Sequence, residues 1–253
     1  MLSHKRHQKI MSILNDKKSV SNHLLLDSLF VSEATLRRDL SKLESLGLIT
    51  RTHGFTHLKE ASNIESSLIA RSQKNVKEKK RIAQKCLDYL NNNSSIFIDS
   101  SSTVGYLLPI LSNYRDLTFI TNGISNALIL SQANVDFKLH ITPGVFNHFT
   151  NSLLGIDTVE YIKNFHCEYS IFSCGGLSPY GITEANHEQS LIKREMLKRS
   201  KTHILLVDNT KFNHIYMSQT CDFNDIDIII TDKEPDKKYI DIFKTYNCQL
   251  IVV

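Results

Sequence analysis

Arg37, Arg38, Ser41 and Lys42 lie within a run, Val31 to Gly54, that reads VSEATLRRDLSKLESLGLITRTHG. Guanidinium, ammonium and hydroxyl donors grouped in this way suit hydrogen bonding to the phosphate oxygens and base edges of a nucleic acid. A second set of polar residues follows apolar, β-rich runs further along the chain. It comprises Asp99-Ser100-Ser101-Ser102-Thr103 after SIFI, Thr121-Asn122-Gly123, Cys174-Gly175-Gly176 continuing to Gly181 and Thr183, and Asp208 with Lys211 after HILLV. Main-chain N–H groups and hydroxyls in such loops can hold a phosphate. Asp99 can accept a hydrogen bond from a sugar hydroxyl, and Lys211 can set a point charge beside an anion.

The first set needs a rigid rod beneath it. Ser32 is a good N-cap, Glu33 sits where the helix dipole favours a carboxylate, and Leu36, Leu40 and Leu43 recur at four- and three-residue spacing. With those leucines in a core, Arg37, Arg38 and Ser41 point outward, and Thr35 and Lys42 flank the apolar stripe. Upstream, Lys5 to Leu14 and Asn22 to Phe30 read as two more short amphipathic helices, with Val31-Ser32 as the tight turn before the third. This is helix-turn-helix spacing. The RTHG that follows reads as a compact wing carrying Arg51 and His53.

Charge agrees with that layout. Residues 1 to 59 carry ten Lys or Arg against five Asp or Glu, whereas the remainder carries 20 against 21. The excess of positive charge therefore lies on the DNA-reading segment, where phosphate neutralisation needs it. A solvated basic face is the ordinary alternative for such a cluster, and the helix pattern tips the reading to double-stranded DNA.

These residues carry a resemblance. VSEATLRRDL followed by LxxLExLGLITRTHG is similar to the N-terminal domain of the DeoR family of bacterial sugar-catabolism regulators, without a gap from Arg6 to Gly54. The paired arginines, the aspartate after them and the RTHG are kept. Members of the family commonly continue with a second glycine and an apolar residue, whereas Phe55 follows Gly54 here, so a differently shaped wing tip is expected.

At 253 residues, 41% hydrophobic and 22% charged, the chain has apolar material for one small domain and one larger core. The expected division is residues 1–58 as a winged helix-turn-helix domain, 59–75 as a polar linker, and 76–253 as an effector domain. Apolar runs such as Ile204 to Val207 fall far short of the roughly 20 residues of a membrane span, and MLSHKRHQKI has no apolar segment behind it. A cytoplasmic protein without a membrane partner is the expectation. Cys86, Cys167, Cys174, Cys221 and Cys248 are odd in number and contain no CxxC pair, which favours buried free thiols over a disulfide framework or structural zinc. The eleven histidines form no HxxxH or HExxH pair, so neither a metal nor a cofactor is expected.

From Val76 onward, helical and strand patterns alternate. Strands are predicted at 95–98, 117–121, 137–142, 169–173, 203–207, 227–231 and 249–253, and helices at 76–91, 103–111, 124–132, 153–164, 188–200 and 236–246. This order predicts a mainly parallel, Rossmann-like α/β sheet covered on both faces, with ligands at the carboxyl ends of its strands. At the Asp99 loop, capping of a helix by serine competes evenly with anion binding. Asn122 can serve a ligand or merely a turn, and loop glycines alone say little. Of two charged pairs, Glu188 with Lys193 lies on a helix that reads as a solvated face. Asp208 with Lys211 lies at a strand end and is the stronger candidate; a surface ion pair between them would contribute only about 0–1 kcal/mol.

The DeoR resemblance continues through this half. Glu65, Arg71, Lys79, Ile82 and Ala83 fall where the family joins its domains. IFIDSSST, ITN, GIT with a following glutamate, Lys193 and VDNTKF match its sensor domain in order. The resemblance implies a ribose-5-phosphate-isomerase-like fold that senses phosphorylated sugars. It further implies that Asp99, Ser101, Ser102, Thr103, Asn122, Gly181, Thr183, Glu188, Lys193, Asp208 and Lys211 line or support an effector pocket. Ser100 and Ser101 replace the usual glycines, and Pro143-Gly144 replaces a glycine pair. The implied function is a sequence-specific transcriptional regulator, a repressor of a sugar-utilisation operon controlled by a phosphosugar. Ser32, Thr35, Arg37, Arg38, Ser41, Lys42, Arg51 and His53 would meet its operator, and the protein would act as a homo-oligomer, a dimer or tetramer. A sugar-phosphate isomerase fused to a DNA-binding module, with Asp99 or Glu188 as base, is the rival from another class. A scaffold whose basic helix binds a protein is a third.

Overall fold

In the computed structural model, which describes residues 3–45, 48–58, 67–133 and 136–253, the chain separates into two units, Met1–Lys74 and Asn75–Val253. In the first, α1 (Ser3–Lys17), β1 (Ser19–Ser21), α2 (Asn22–Leu29) and α3 (Glu33–Ser45) precede a hairpin of β2 (Ile49–Thr52) and β3 (Phe55–Leu58). Ile10 and Leu14 of α1, Leu25 and Leu29 of α2, and Leu36, Leu40 and Leu43 of α3 close a core against Val20 and Ile49. The leucine stripe of α3 is thus the face that burial fixes, and it forces Arg37 and Arg38 to the opposite side.

The wing is a three-stranded antiparallel sheet ordered β1-β3-β2. Sequence patterning misses β1, because three residues are too few to show alternation. Gly54 at φ +73° makes the two-residue turn from β2 to β3. Its carbonyl accepts from Asn22 N at 2.8 Å, while Thr56 Oγ1 donates to Asn22 Oδ1 at 2.8 Å, so the wing is anchored on the start of α2. Phe30 closes α2 in the left-handed region, its N–H reaching Leu26 O, and leads into the turn before α3. Of the expected linker, residues 59–66, Glu65 included, lie outside the described residues, as do Leu46 and Gly47; Leu68–Gln73 form α4, with Leu68 buried.

The second unit alternates α5 (Val76–Cys86), β4 (Ser95–Ile98), α6 (Ser102–Gly105), β5 (Leu117–Thr121), α7 (Ile124–Gln132) and β6 (Phe137–Ile141). There follow β7 (Val145–Asn147), β8 (Ser152–Leu154), α8 (Ile156–Ile162), β9 (Cys167–Phe172), β10 (Gly176–Ser178), β11 (Gly181–Glu184) and α9 (His187–Lys198). The chain ends with β12 (Ser200–Leu206), β13 (Ser218–Cys221), β14 (Ile228–Thr231), α10 (Lys237–Thr245) and β15 (Gln249–Val252). Seven strands form one parallel sheet in the order β15-β14-β12-β9-β4-β5-β6.

Alternation along the strands splits the core. Ile96 and Ile98 of β4, with Ile204, Leu206, Ile228 and Ile230, face α5 and α6, while Phe97 packs with Ile192 and Met196 of α9. Leu205 and Ile229 turn instead to Tyr239 and Phe243 of α10. Strand order reverses between β4 and β9, and the strands on either side run outward from that point. Such a switch point leaves a crevice at the carboxyl ends, where loops diverge.

The small antiparallel elements depart from the predicted pattern. Leu153 and Leu154 belong to β8, paired with β7, rather than to the helix expected from 153, and Gly155 separates them from α8. Strands β10, β11 and β13 form a separate sheet. Gly181 is fixed there by φ +121° and by Cys221 O, 2.4 Å from where a Cβ would stand.

Candidate functional site

The α3 face is built by its cap and its core. Ser32 Oγ accepts from Thr35 N at 3.3 Å, Ser32 O accepts from Leu36 N at 3.0 Å, and the Ser32 and Thr35 hydroxyls lie 3.0 Å apart. Arg37, Arg38, Ser41 and Lys42 are exposed, and Thr35 is half-buried. A shallow concavity of about 630 Å³ is lined by Glu33, Ala34, Arg37, Arg38 and Ser41. Neither Arg37 nor Arg38 has an ion-pair partner among the described residues, which leaves both guanidinium groups available to an anion.

Asp39, on the opposite side, is a positioning residue that periodicity could not reveal. Its carboxylate is buried and receives Arg6 Nε at 2.6 Å and Arg6 Nη2 at 3.0 Å, with His7 Nε2 at 3.0 Å. Burial alone would push its carboxyl up. The Arg6 and His7 bonds outweigh that and hold it below the usual carboxylate range. This clasp ties α1 to α3 and fixes the rotation of the reading helix. On the wing, Arg51 Nε meets Glu44 Oε2 at 2.8 Å, and His53 is exposed at the turn. Arg51 thus braces the wing against the end of α3 while its side chain remains partly open.

At the switch point of the larger unit, Asp99 ends β4 with its carboxylate buried. Oδ1 accepts from Ser101 N at 3.0 Å, Oδ2 accepts from Ser173 N at 3.1 Å, and Lys193 Nζ lies 3.0 Å from Oδ2. Lys193 also donates to Ser173 O at 2.6 Å and to Glu184 Oε1. Burial pulls the lysine toward neutrality, but Glu184 and Asp99 together more than reverse this and raise its pKa. A strand-end carboxylate, a helix lysine and a hairpin glutamate therefore form one buried triad.

The remaining predicted residues surround this triad unevenly. Ser101 caps α6 through Val104 N, Ser102 Oγ accepts from Lys79 Nζ at 3.2 Å, and Ser173 Oγ lies 3.5 Å from Thr103 Oγ1. Asn122 Nδ2 donates to Leu153 O at 3.1 Å, while its Oδ1 is buried with no hydrogen-bond partner among the described residues. Thr183 spends its hydroxyl inside the small sheet, on Gly176 O and Tyr216 N, and Gly181 serves the hairpin turn. Asp208 caps the turn after β12, accepting from Thr210 N and Asn75 Nδ2, and makes no ion pair with Lys211. Lys211 is half-buried and close enough to Cys174 to lower its thiol against the upward push of burial.

Glu188 is not brought to this cluster. It is exposed on α9 beside α8, and the carboxylate that meets Lys193 is Glu184. The helix that read as a solvated face instead buries Lys193, Gln189, Ser190, Ile192 and Met196. Sequence reasoning also missed Gln189, which bridges Ser152 Oγ at 2.9 Å and Ser100 Oγ at 3.3 Å, and Asn126, which holds Asp99 O at 2.7 Å and Ser101 O at 3.3 Å. The four-residue spacing from Gln189 to Lys193 is the signal that shows they share a face. Ser100 and Ser101, in place of glycines, thus stand in a loop pinned by side chains from α7 and α9.

All five cysteines are buried free thiols, and burial raises each of them, Cys174 to about 12 and Cys248 to about 11. Among the described residues no group of three or more His, Cys, Asp or Glu could hold a metal, and no helix is long and apolar enough to cross a membrane.

Residues 6–60 match the DeoR-like helix-turn-helix domain, and residues 74–233 match the DeoR C terminal sensor domain. The chain is 32% identical over 234 residues to the L-fucose operon activator of Haemophilus influenzae, covering 91% of this chain and 93% of that protein. It is 28% identical over 252 residues to the HTH-type transcriptional repressor GlcR of Bacillus subtilis, covering 100% and 97%. It is 27% identical over 248 residues to the glycerol-3-phosphate regulon repressor of Escherichia coli, covering 97% of each. Among solved structures, a D-ribose-5-phosphate isomerase in complex with phospho-erythronic acid superposes on 53% of this chain and 52% of its own, at 14% identity and a TM-score of 0.38, too loosely to bear on chemistry. With a helix-turn-helix match on the first unit and a sensor-domain match across more than half the chain, the protein belongs to the DeoR family of transcriptional regulators.

Proposed function

We propose that the protein represses a sugar-utilisation operon by sequence-specific binding to its operator, and that a phosphorylated sugar at the strand ends of the larger unit sets its occupancy. The observation that carries the DNA half is the pair Arg37 and Arg38, unpaired and outward on a helix whose rotation is fixed by the Asp39 clasp. In this reading Thr35, Arg37, Arg38 and Ser41 meet base edges or adjacent phosphates, Lys42 tracks phosphate, Ser32 holds the helix start beside the backbone, and the wing approaches through Arg51 and His53.

The effector half is supported by what the strand-end residues leave open. Lys193 is consumed by Asp99 and Glu184, so its role is to set the loop rather than to meet a phosphate. Lys211 has no acidic partner among the described residues and can supply the point charge; Asn122 Oδ1, buried and without a hydrogen-bond partner among the described residues, is an acceptor whose bonding capacity is unspent. Asp99, Ser101, Ser102, Thr103 and Asp208 shape the backbone between them. Repression, rather than activation, follows the two relatives named as repressors, although the L-fucose relative is named an activator.

One DNA-reading unit covers only a short half-site, so a dimer or tetramer working in the cytoplasm completes the proposal. Its half-sites stand about one helical turn, roughly 34–36 Å, or a multiple apart. For the sugar to act, it must bind the DNA-competent and DNA-incompetent arrangements with different affinity. The test is a titration of operator complexes with a phosphosugar panel, each compound also scored by thermal shift. Loss of operator occupancy with the compound that stabilises the protein is the expected result; a panel that stabilises nothing and releases nothing refutes the sensing half. The isomerase alternative is disfavoured because both Asp99 oxygens are already engaged and Glu188, the other candidate base, is exposed on α9 away from the triad. Incubation with the same panel would reveal interconversion if it held.

A further inference from the structure

The outer faces of α8 and α9 form a groove of about 320 Å³ with an apolar floor and a charged rim. Ile156 and Leu191 are exposed in it, with Val159 half-buried between. Most of the rim is internally matched. Lys163 pairs with Glu160 at 2.5 Å, Glu195 pairs with Arg199 at 3.0 Å, and Arg194 donates to the carbonyls of Thr220 and Gln219. Two opposite charges are left over, both on α9: Glu188 at its start and Lys198 at its end, each exposed and without an ion-pair partner among the described residues.

These two lie ten residues apart, about 15 Å along one helix face, with Leu191 between them. A two-fold axis through the middle of α9 sets the helix antiparallel to its copy. Glu188 of each chain then faces Lys198 of the other, and the two Leu191 side chains come within about 6 Å along the axis. An isologous contact needs a surface complementary to itself. A stripe with a lone negative end, an apolar middle and a lone positive end meets that condition.

We propose that the α8–α9 face is a self-association surface, occupied by the same face of a second copy of this chain and registered by two reciprocal Glu188–Lys198 pairs. The proposal deepens the homo-oligomer part of the function proposed above and rests on it. It also gives Glu188 a place outside the effector site.

Sedimentation velocity of the full chain tests it with four proteins: wild type, Glu188→Lys, Lys198→Glu and the double swap. All substitutions are at exposed positions. Each single reversal sets like charges opposite one another twice and should weaken association at least about tenfold, whereas the double swap restores the pairs and should return to within about twofold of wild type. Added salt should weaken the wild-type contact. A wild type that does not associate refutes the oligomer reading and this surface with it. An oligomer indifferent to the single reversals, or one that the double swap fails to restore, refutes this surface alone.

Discussion

Replacing Lys193 by methionine removes the one cation inside the strand-end triad while keeping much of the side-chain volume. Two carboxylates, Asp99 and Glu184, remain buried. Their situations differ. Asp99 keeps two main-chain donors, Ser101 N at 3.0 Å and Ser173 N at 3.1 Å, but Glu184 loses the one side-chain hydrogen bond it makes among the described residues. Breaking a buried pair by deleting one member costs about 3–5 kcal/mol, because the other charge is left without compensation. That is a large share of the roughly 5–15 kcal/mol by which a domain is stable. Most of the penalty should therefore reside on Glu184, and neutralising it should recover part of the loss. Chemical denaturation of the full chain at neutral pH, followed by far-UV circular dichroism, should show Lys193→Met losing about 3–5 kcal/mol. The double variant Lys193→Met/Glu184→Gln should regain about 1–3 kcal/mol of it, within the range found for coupled neighbours. A single-variant loss below about 1 kcal/mol, or a double variant no more stable than the single one, would refute the claim that this triad is a desolvated, charge-balanced unit.

Three further outcomes follow from named contacts. Asp39→Asn should destabilise the first unit by about 2–3 kcal/mol and weaken DNA binding in step, since the Arg6 clasp sets the rotation of α3; denaturation and duplex binding measured on the same preparation check this. Because the folded Asp39 carboxyl lies below its unfolded value, its contribution is present above about pH 4 and is lost as pH falls through the depressed folded value. The acid limb of the wild type should accordingly flatten in Asp39→Asn, and identical acid limbs would contradict it. The five buried thiols, raised by desolvation, should resist a disulfide reagent at pH 8 and react together on unfolding; a thiol reacting at once in the native protein would contradict their placement.

Much of this architecture is legible in the chain because burial imposes a period. The leucines at 36, 40 and 43 fix the outward direction of Arg37 and Arg38, and SIFI and HILLV announce strands whose ends carry Asp99 and Asp208. What stays hidden depends on contacts across long sequence separations. Asp39 finds Arg6 thirty-three residues away, and Lys193 finds Asp99 across the sheet rather than Glu188 on its own helix. Five residues on a helix turn through about 500°, leaving Glu188 and Lys193 about 140° apart. That spacing argues against their meeting, even though motif order places them together. Short strands such as β7, β8 and β10 escape for another reason: three residues cannot display a period, and their pairing is decided by turns such as the one Gly181 makes.

DNA reading rests on the exposed arginines of α3, and Arg37→Ala/Arg38→Ala tests them most directly. Alanine preserves the helix, and both side chains are exposed, so thermal stability should hold. A binding site selected from random duplexes by the wild type supplies the probe, and affinity is measured over a salt series. Affinity for that site should fall by at least about tenfold, with the logarithmic salt slope reduced by about one for each arginine that contacts phosphate. Undiminished affinity and an unchanged salt slope in a folded double variant would contradict the claim that this helix reads DNA.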